Sequence, residues 1–409
     1  MTRPLPSETT CQAKAPEKEA TTSSAPRPQN LYIETPCIPS PALSRVAGCN
    51  IFLKLENLQP SGSFKSRGIG TMMYRAMLLA SSSSGPGSPS SPGSSDSSDV
   101  HFYCSSGGNA GLAAVAAAAQ LGRPCTVVVP APTPARVVAR LRRRGAAAVH
   151  QVGADWAAAD AHLRSALLAR DPRGVYVPPF DHADIWDGVS TLVDELVLCG
   201  VSSSSSSSSQ SIDAIVCSVG GGGLLNGIME GVARNFPTGS SSSQVVPTVL
   251  ALETRGAHSL AAAVAARELV TLPAIDSVAT SLGARRVSAR SLEWALGSPP
   301  GRLAHAVVDD AAAARAAARF ADDERMLVEA ACGATLAAAY EDGGRLLREA
   351  LGFGDAAAAA AAAAGPERRE EEEWRAKNVV LVVCGGNNVS LEVLAGYVEK
   401  YGVGVGGED

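Results

Sequence analysis

Short apolar runs alternate with helical segments along most of this 409-residue chain. Predicted strands cover residues 100–106, 124–130, 146–152, 212–219, 246–253 and 378–386, with predicted helices at 108–122, 134–145, 154–170 and 223–236. Strands that are apolar on both faces and alternate with helices form a parallel sheet with helices on both sides. The pattern therefore predicts an α/β fold, with ligands bound at the carboxyl ends of the strands.

Charge and composition argue against several classes of protein. Acidic residues outnumber basic ones, 40 to 35, and nucleic-acid binding needs the opposite balance. No apolar run approaches the roughly 20 residues of a membrane helix. The nine cysteines form no CxxC pair, and the N-terminus has no apolar signal segment. These features predict a cytoplasmic protein with reduced thiols that binds neither nucleic acid nor membrane.

Five segments of biased composition lie outside the predicted core. Residues 1–30 are rich in Pro, Ser, Thr and charge and are predicted to be a disordered tail. Residues 81–99, 201–211 and 239–244 consist almost entirely of small and polar residues, which predicts flexible surface insertions. Residues 355–373 combine alanines with a charged run and are predicted to form an exposed helix.

Four loops of small residues follow predicted strands or the apolar segment IFLKLENL: PSGSFKSRG (60–68), SSGGNAG (105–111), SVGGGGLLNG (218–227) and CGGNNVS (384–390). The four glycines 220–223 let backbone N–H groups converge at a helix start, which favours phosphate binding. A tight turn that needs glycine for packing is the alternative. Likewise, backbone N–H groups of 106–110 either hold a carboxylate or form a structural turn.

Lys65 is the one lysine among these loops. Phe64 precedes it, and small residues surround it. Partial burial in such a setting favours the neutral, nucleophilic amine over the ammonium ion. A surface lysine that pairs with a phosphate is the alternative, and the neighbouring small-residue loops favour the chemical role.

These four motifs, with ETRGAHS (253–259) between the third and the fourth, resemble in kind and order those of the fold-type II pyridoxal-phosphate enzymes, in particular the eukaryotic L-serine dehydratase branch. The resemblance runs from about Leu31 to about Gly402. It implies two open, mostly parallel sheets covered by helices, with the cofactor in the cleft between two domains. The small domain would cover 62–178 and the large domain 31–61 plus 179–409. A homodimer is also implied.

The resemblance assigns roles to individual residues. Lys65 would form the Schiff base with pyridoxal phosphate and later act as the general base. The cofactor would be held by Phe64, Lys65, Asn109, Gly220, Gly221, Gly222, Gly223 and Cys384. The substrate carboxylate and hydroxyl would be received by Ser105, Ser106, Gly107 and Gly108. A monovalent cation, K⁺, would be held by the carboxylate of Glu253 and the carbonyls of Ala257 and Ala279. Glu329 is a minor candidate for ordering the site.

Two of these assignments have a structural alternative. Cys384 would face the pyridine nitrogen of the cofactor, where a thiol leaves that nitrogen largely unprotonated and favours elimination over transamination. Its alternative is a buried cysteine at the end of a strand. Glu253 is either a cation ligand, since oxygen atoms suit a hard cation, or a partner in a salt bridge.

The implied reaction is elimination of water from L-serine to give pyruvate and ammonia, with some activity on L-threonine. One more methyl group in a pocket changes binding by only about 1–3 kcal/mol, so both substrates fit this scheme. A serine racemase or another fold-type II enzyme is the main alternative, and a non-catalytic cofactor-binding protein is the second.

Overall fold

The computed structural model of the protein describes residues 31–82, 100–200, 211–237, 245–299, 301–354 and 366–402. A six-stranded sheet has the order β1-β2-β10-β7-β8-β9, and a four-stranded sheet has the order β5-β4-β3-β6. The strands are β1 (Cys37–Pro39), β2 (Asn50–Lys54), β3 (His101–Cys104), β4 (Cys125–Val129), β5 (Ala148–Gln151), β6 (Gly174–Tyr176), β7 (Ala214–Ser218), β8 (Thr248–Thr254), β9 (Leu303–Val308) and β10 (Asn378–Val382). All neighbouring strands are parallel except the pair β1–β2. The predicted α/β fold is confirmed.

The helices cover both sheets, and several begin directly after a strand and its loop. They are α1 (Pro41–Ala47), α2 (Lys65–Ser82), α3 (Asn109–Gln120), α4 (Ala135–Arg143), α5 (Trp156–His162), α6 (Ala183–Cys199), α7 (Gly223–Asn235), α8 (Ser259–Ala266), α9 (Ala289–Gly297), α10 (Asp310–Glu324), α11 (Ala330–Tyr340), α12 (Arg345–Ala350), α13 (Pro366–Arg375) and α14 (Leu391–Tyr401). None of the helices in the described ranges is long and apolar enough to span a membrane.

Each sheet has its own hydrophobic core. In the six-stranded sheet, Ile215 and Leu381 are fully buried and pack in one cluster with the residues of α7, α10 and α11. In the four-stranded sheet, Phe102 and Val127 pack with the small side chains of α3. Two separate cores agree with two domains, while the predicted boundaries at 62, 178 and 179 stay predictions.

The structure differs from the sequence expectations at short or biased segments. Strands β1, β2, β6 and β9 were not among the predicted strands. Strands β1, β6 and β9 lie at sheet edges and lack a continuous buried run, whereas β2 belongs to IFLKLENL, which was noted only as an apolar segment. Helix α2 continues through Ser82, so the predicted insertion 81–99 begins inside a helix. Helix α13 contains part of the predicted helical segment 355–373. The tail 1–30 and most of the predicted insertions lie outside the described residues.

A buried cluster of charges joins β2, α2 and α6 close to the lysine loop. Arg67, on the first turn of α2, bonds to Glu56 at 2.8 Å and to Glu195 at 2.5 Å. Lys54, at the end of β2, bonds to the same Glu195 at 2.5 Å. The side chains of Lys54, Glu56 and Arg67 have no exposed surface. Arg67 lies two residues after Lys65, so the cluster fixes the first turn of α2, on which Lys65 lies.

Candidate active site

One cavity brings together loops that follow strands of both sheets. Its walls are formed by Phe64, Lys65, Asn109, Phe180, Ser218, Gly220, Gly221, Gly222, Gly223, Leu224, Ser281, Leu282, Glu329, Ala331 and Cys384. All eight residues predicted to hold the cofactor are among them. The predicted substrate residues 105–108 lie directly before Asn109 and do not line the cavity themselves.

Lys65 is the first residue of α2, and its amine lies inside this cavity. Its Nζ donates a hydrogen bond to the carbonyl oxygen of Pro179 at 2.8 Å and lies 5.1 Å from the centre of the Phe64 ring. Burial lowers the pKa of Lys65 to about 8, and Cys104 and Glu329 partly oppose this shift. A substantial fraction of the amine is therefore neutral near physiological pH, as a nucleophile or base requires.

The pKa of Lys65 predicts how fast the cofactor-free protein takes up an aldehyde at this amine. Only the neutral amine attacks a carbonyl, and its fraction rises from roughly 10% at pH 7 towards completion above pH 9 for a pKa of about 8. We expect the rate of covalent loading with pyridoxal phosphate, followed by stopped-flow absorbance, to rise about tenfold over this range. A rise of about 100-fold between pH 7 and pH 9, as an exposed lysine with its ordinary pKa of about 10.5 would give, would show that Lys65 is not buried in this way.

The glycine loop forms the opposite wall and has no room for side chains. A Cβ atom on Gly221 would lie 2.3 Å from the Phe180 ring, and one on Gly222 would lie 2.0 Å from the hydroxyl of Ser291. Gly222 also has a φ of +96°, which L-residues rarely adopt. Within the described part of the chain, the backbone N–H groups of 220–223 bond to no oxygen. These free donors at the start of α7 suit an anion.

The SSGGNAG loop is hydrogen-bonded to helix α5. The hydroxyl of Ser105 donates to Asp160 at 2.6 Å, and the hydroxyl of Tyr176 donates to the same carboxylate at 2.8 Å. Arg164 bonds to the other oxygen of Asp160 at 2.7 Å, and these bonds lower the pKa of Asp160 against the effect of its burial. The Ser105 side chain therefore points to Asp160, and only the backbone of Ser105 remains for the predicted substrate role.

Asn109 begins α3 and connects the SSGGNAG loop to the opposite side of the cavity. Its Nδ2 donates to Glu329 Oε1 at 2.9 Å, and its Oδ1 accepts from the backbone N–H of Asn387 at 2.9 Å. The second oxygen of Glu329 accepts from the backbone N–H of Asn388 at 3.1 Å. Burial is the main cause that raises the pKa of Glu329. Glu329 thus orders the loops around Asn109.

Cys384 lies just beyond the end of β10, at the back of the cavity. Its Sγ is 3.7 Å from the hydroxyl of Ser218, which occupies the end of neighbouring β7. The hydrogen bond with Cys332, together with burial, raises the pKa of the Cys384 thiol well above its usual value. The group that lines the cavity is therefore a neutral thiol. The eight cysteines of the described ranges are all free.

Glu253 lies near the end of β8, beside the strand that leads into the glycine loop. Its two carboxylate oxygens accept the backbone N–H groups of Leu260 and Ala261, both at 2.8 Å, at the start of α8. The residue is 1% exposed, and burial raises its pKa to about 7. No cationic side chain among the described residues pairs with it, so the alternative of a salt bridge is not supported. Ala257 and Ala279 are also buried.

Sequence patterns did not identify several residues of the cavity wall. Pro179 and Phe180 belong to the segment PPFDHADIW, in which the histidine, His182, is the more conspicuous residue for chemistry. His182 instead precedes α6 and accepts the N–H of Asp184 at 3.2 Å. Ser281, in a short turn far along the chain, is likewise brought in only by the fold. The only local feature that could have pointed to this part of the cavity wall is the run of two prolines and an aromatic residue before a helix.

The comparisons with known proteins decide the family. The profile of the pyridoxal-phosphate dependent enzymes matches residues 29–353. The chain belongs to this family. The enzyme is 41% identical to a serine dehydratase-like protein of Rattus norvegicus, over 92% of this chain and 97% of that protein. It is 37% identical to the L-serine dehydratase/L-threonine deaminase of Homo sapiens, over 91% of this chain and 96% of that protein.

A solved structure leads to the same conclusion. The fungal L-serine ammonia-lyase of Rhizomucor miehei superimposes with a TM-score of 0.71 and is 35% identical, over 91% of the enzyme and 100% of that chain. The resemblance predicted from the five motifs is confirmed. The cavity also fits the cofactor of the family: a partly buried amine lies inside it, and four unpaired N–H groups suit a phosphate. Lys65 and Gly220–Gly223 are the residues that would hold it.

Proposed function

We propose that the enzyme eliminates water from L-serine and releases pyruvate and ammonia, and that it also converts L-threonine to 2-oxobutanoate. The observation that carries the proposal is the placement of the Lys65 amine, with its pKa near 8, in a cavity with the glycine loop and a neutral thiol. The names of the relatives in rat, human and Rhizomucor support the same reaction.

In this reaction the residues of the chain bind, orient and move protons. When bound, pyridoxal phosphate supplies the electron sink for the carbanion left by loss of the α-proton. The N–H groups of Gly220–Gly223 would hold its phosphate, and Asn109 would donate to its ring oxygen. Neutral Lys65 would take the α-proton as general base. The backbone of 106–108 would receive the substrate carboxylate. The proton taken by Lys65 balances the β-hydroxyl, which leaves as water, and the enamine that remains is hydrolysed to pyruvate and ammonium.

Racemisation is less well supported by the same cavity. A racemase must return a proton to the opposite face of the α-carbon, which needs a second acid. The residue after Asn109 is Ala110, which is buried and carries no proton to donate. The test is a panel of L-serine, L-threonine and D-serine with the loaded enzyme. We expect 2-oxo acids from the two L-amino acids and no comparable rate with D-serine.

The thiol of Cys384 is proposed to suppress side reactions. A neutral, weakly donating group leaves the pyridine nitrogen of the cofactor unprotonated, which shortens the life of the carbanion. We expect Cys384→Asp to slow pyruvate release by about tenfold, or about 1.4 kcal/mol in the barrier, and to produce a transamination side reaction. Cys384→Ser, which keeps a neutral donor, should retain elimination. If Cys384→Asp eliminates at the wild-type rate without a new product, this role is disproved.

We also propose that a monovalent cation, K⁺, binds beside the glycine loop. The buried Glu253 carboxylate has no cationic partner in the described ranges, and the carbonyls of Ala257 and Ala279 would complete an oxygen site. We expect replacement of K⁺ by a tetramethylammonium salt to weaken cofactor binding roughly fivefold or more, a usual size for coupling between two sites. Glu253→Gln should remove most of this response. Equal cofactor affinity in both salts would contradict the site.

The homodimer and the cytoplasmic location stay predictions. Light scattering of the purified enzyme, with and without cofactor, measures the first directly, and a mass of twice 41.7 kDa is the expected result.

A further inference from the structure

Asn387 lies in the loop after β10, where three separate segments of the chain meet. Its backbone N–H and its Nδ2 both donate to Asn109 Oδ1, at 2.9 and 3.0 Å. The same Nδ2 donates to the carbonyl oxygen of Ser61 at 2.9 Å, and the carbonyl oxygen of Asn387 accepts from Arg140 at 2.5 Å. One residue thus connects the lysine loop, the SSGGNAG loop and helix α4.

These bonds decide which end of the Asn109 amide faces the cavity. A carbonyl oxygen has two lone pairs, and Asn387 occupies both of those on Asn109 Oδ1. Asn109 can therefore offer only its N–H groups to a ligand. One of them bonds to Glu329 at 2.9 Å, and the other, which makes a longer bond of 3.3 Å to the Ser281 hydroxyl, is the one that a ligand would take over. Rotation of the amide by 180° would place its NH₂ group against two donors, and this arrangement is unfavourable.

The hydrogen bond from Asn387 to Ser61 also attaches Asn387 to the loop that carries Lys65. Ser61 lies four residues before Lys65. The same two loops are held side by side by bonds from Gly386 N–H to the Gly62 carbonyl at 2.9 Å and from Phe64 N–H to the Cys384 carbonyl at 3.2 Å. A shift of Asn387 would therefore move Asn109 and the lysine loop relative to each other.

We propose that Asn387 is a positioning residue that holds Asn109 as a hydrogen-bond donor towards the ring oxygen of the cofactor and ties it to the lysine loop. The inference rests on the proposed role of Asn109 in cofactor binding. It concerns a side chain that does not line the cavity and acts only through Asn109 and Ser61.

Two substitutions distinguish the loss of the Asn387 hydrogen-bond donor from the loss of the whole side chain. Asn387→Asp keeps the shape of the side chain, but it replaces the donor with an oxygen that faces the oxygens of Asn109 and Ser61. Asn387→Ala removes the side chain and leaves the backbone N–H to Asn109. The matched control is Asn235→Ala, because the Nδ2 of Asn235 also donates two hydrogen bonds, to Asp194 and the Gly231 carbonyl, at the end of α7.

The readout is the absorption spectrum of the bound cofactor together with its dissociation constant. A donor to the ring oxygen stabilises the anionic oxygen and thereby the long-wavelength band. We expect the ratio of long- to short-wavelength absorbance to fall in Asn387→Ala and to fall further in Asn387→Asp. We expect the dissociation constant to rise about tenfold, the usual effect of losing one buried hydrogen bond. Asn235→Ala should change neither quantity.

A double-mutant cycle tests whether Asn387 acts through Asn109. If it does, Asn109→Ala and Asn109→Ala/Asn387→Ala should have nearly the same band ratio. Additive effects, or an unchanged ratio in Asn387→Ala, would overturn the inference. If Asn387→Asp does not fold, the alanine variant and the cycle decide alone. A wild-type enzyme that binds cofactor but forms no pyruvate would disprove the proposed function, while these spectra would still test Asn387.

Discussion

Lys65→Ala should reduce pyruvate formation from L-serine by about 10⁴-fold or more, because a positioned general base alone contributes up to about that factor. The substitution removes both the amine that takes up the cofactor and the base for the α-proton. The glycine loop and Asn109 remain, so the variant should still bind the cofactor without a covalent bond. The measurement is a coupled pyruvate assay, with the cofactor content determined by absorbance.

Two controls make this result specific to the amine. Lys377→Ala removes a half-exposed lysine that pairs with Asp213 away from the cavity, and it should keep full activity. Adding a small primary amine to Lys65→Ala should restore part of the rate, because a soluble base can enter the space left by the side chain. If Lys65→Ala keeps more than about 1% of the activity, Lys65 is not the base.

Arg67→Ala should lower the free energy of unfolding by about 3–5 kcal/mol, since removing one member of a buried ion pair leaves its partners charged and unpaired. Arg67 bonds to Glu56 and Glu195 with no exposed surface of its own. The two carboxylates would be left with only Lys54 as a cation in the described cluster. The measurement is urea denaturation of the cofactor-free protein, which separates folding from ligand binding.

The matched control lies on the same helix. Arg75 bonds to Asp184 at 2.7 Å and also pairs with Asp187, and both carboxylates are considerably more exposed than those around Arg67. Exposed ion pairs contribute about 0–1 kcal/mol, so Arg75→Ala should cost little. Equal losses for the two variants would show that burial of the Arg67 cluster is not what stabilises the start of α2.

Sequence patterns predicted those strands and loops that can be recognised from their own residues alone. Strands β4, β7, β8 and β10 are buried on both faces, so their apolar runs stand out in the sequence. The small-residue loops after them identified Lys65 and the glycine loop. In contrast, β6 is three half-buried residues at a sheet edge, and nothing in such a segment distinguishes it from a loop.

The unpredicted parts of the site depend on contacts between distant segments. The Ser105 hydroxyl turns to Asp160, 55 residues later, which no pattern in SSGGNAG reveals. Phe180 reaches the cavity because Gly221 leaves space for its ring and Gly223 leaves space for its Cβ atom and backbone. Glu329 was a minor candidate from the sequence, and its position became clear only when the fold brought it to Asn109, 220 residues away. Local sequence patterns identify the residues that carry the chemistry, whereas contacts between distant segments decide how their side chains are oriented.

The product balance from L-serine tests the central claim most directly. The purified enzyme is loaded with pyridoxal phosphate in K⁺ buffer, and pyruvate, ammonium and D-serine are measured in the same sample as L-serine is consumed. Elimination predicts one pyruvate and one ammonium for each L-serine lost, with D-serine at background. D-serine as the main product, or bound cofactor with no product at all, would contradict the account.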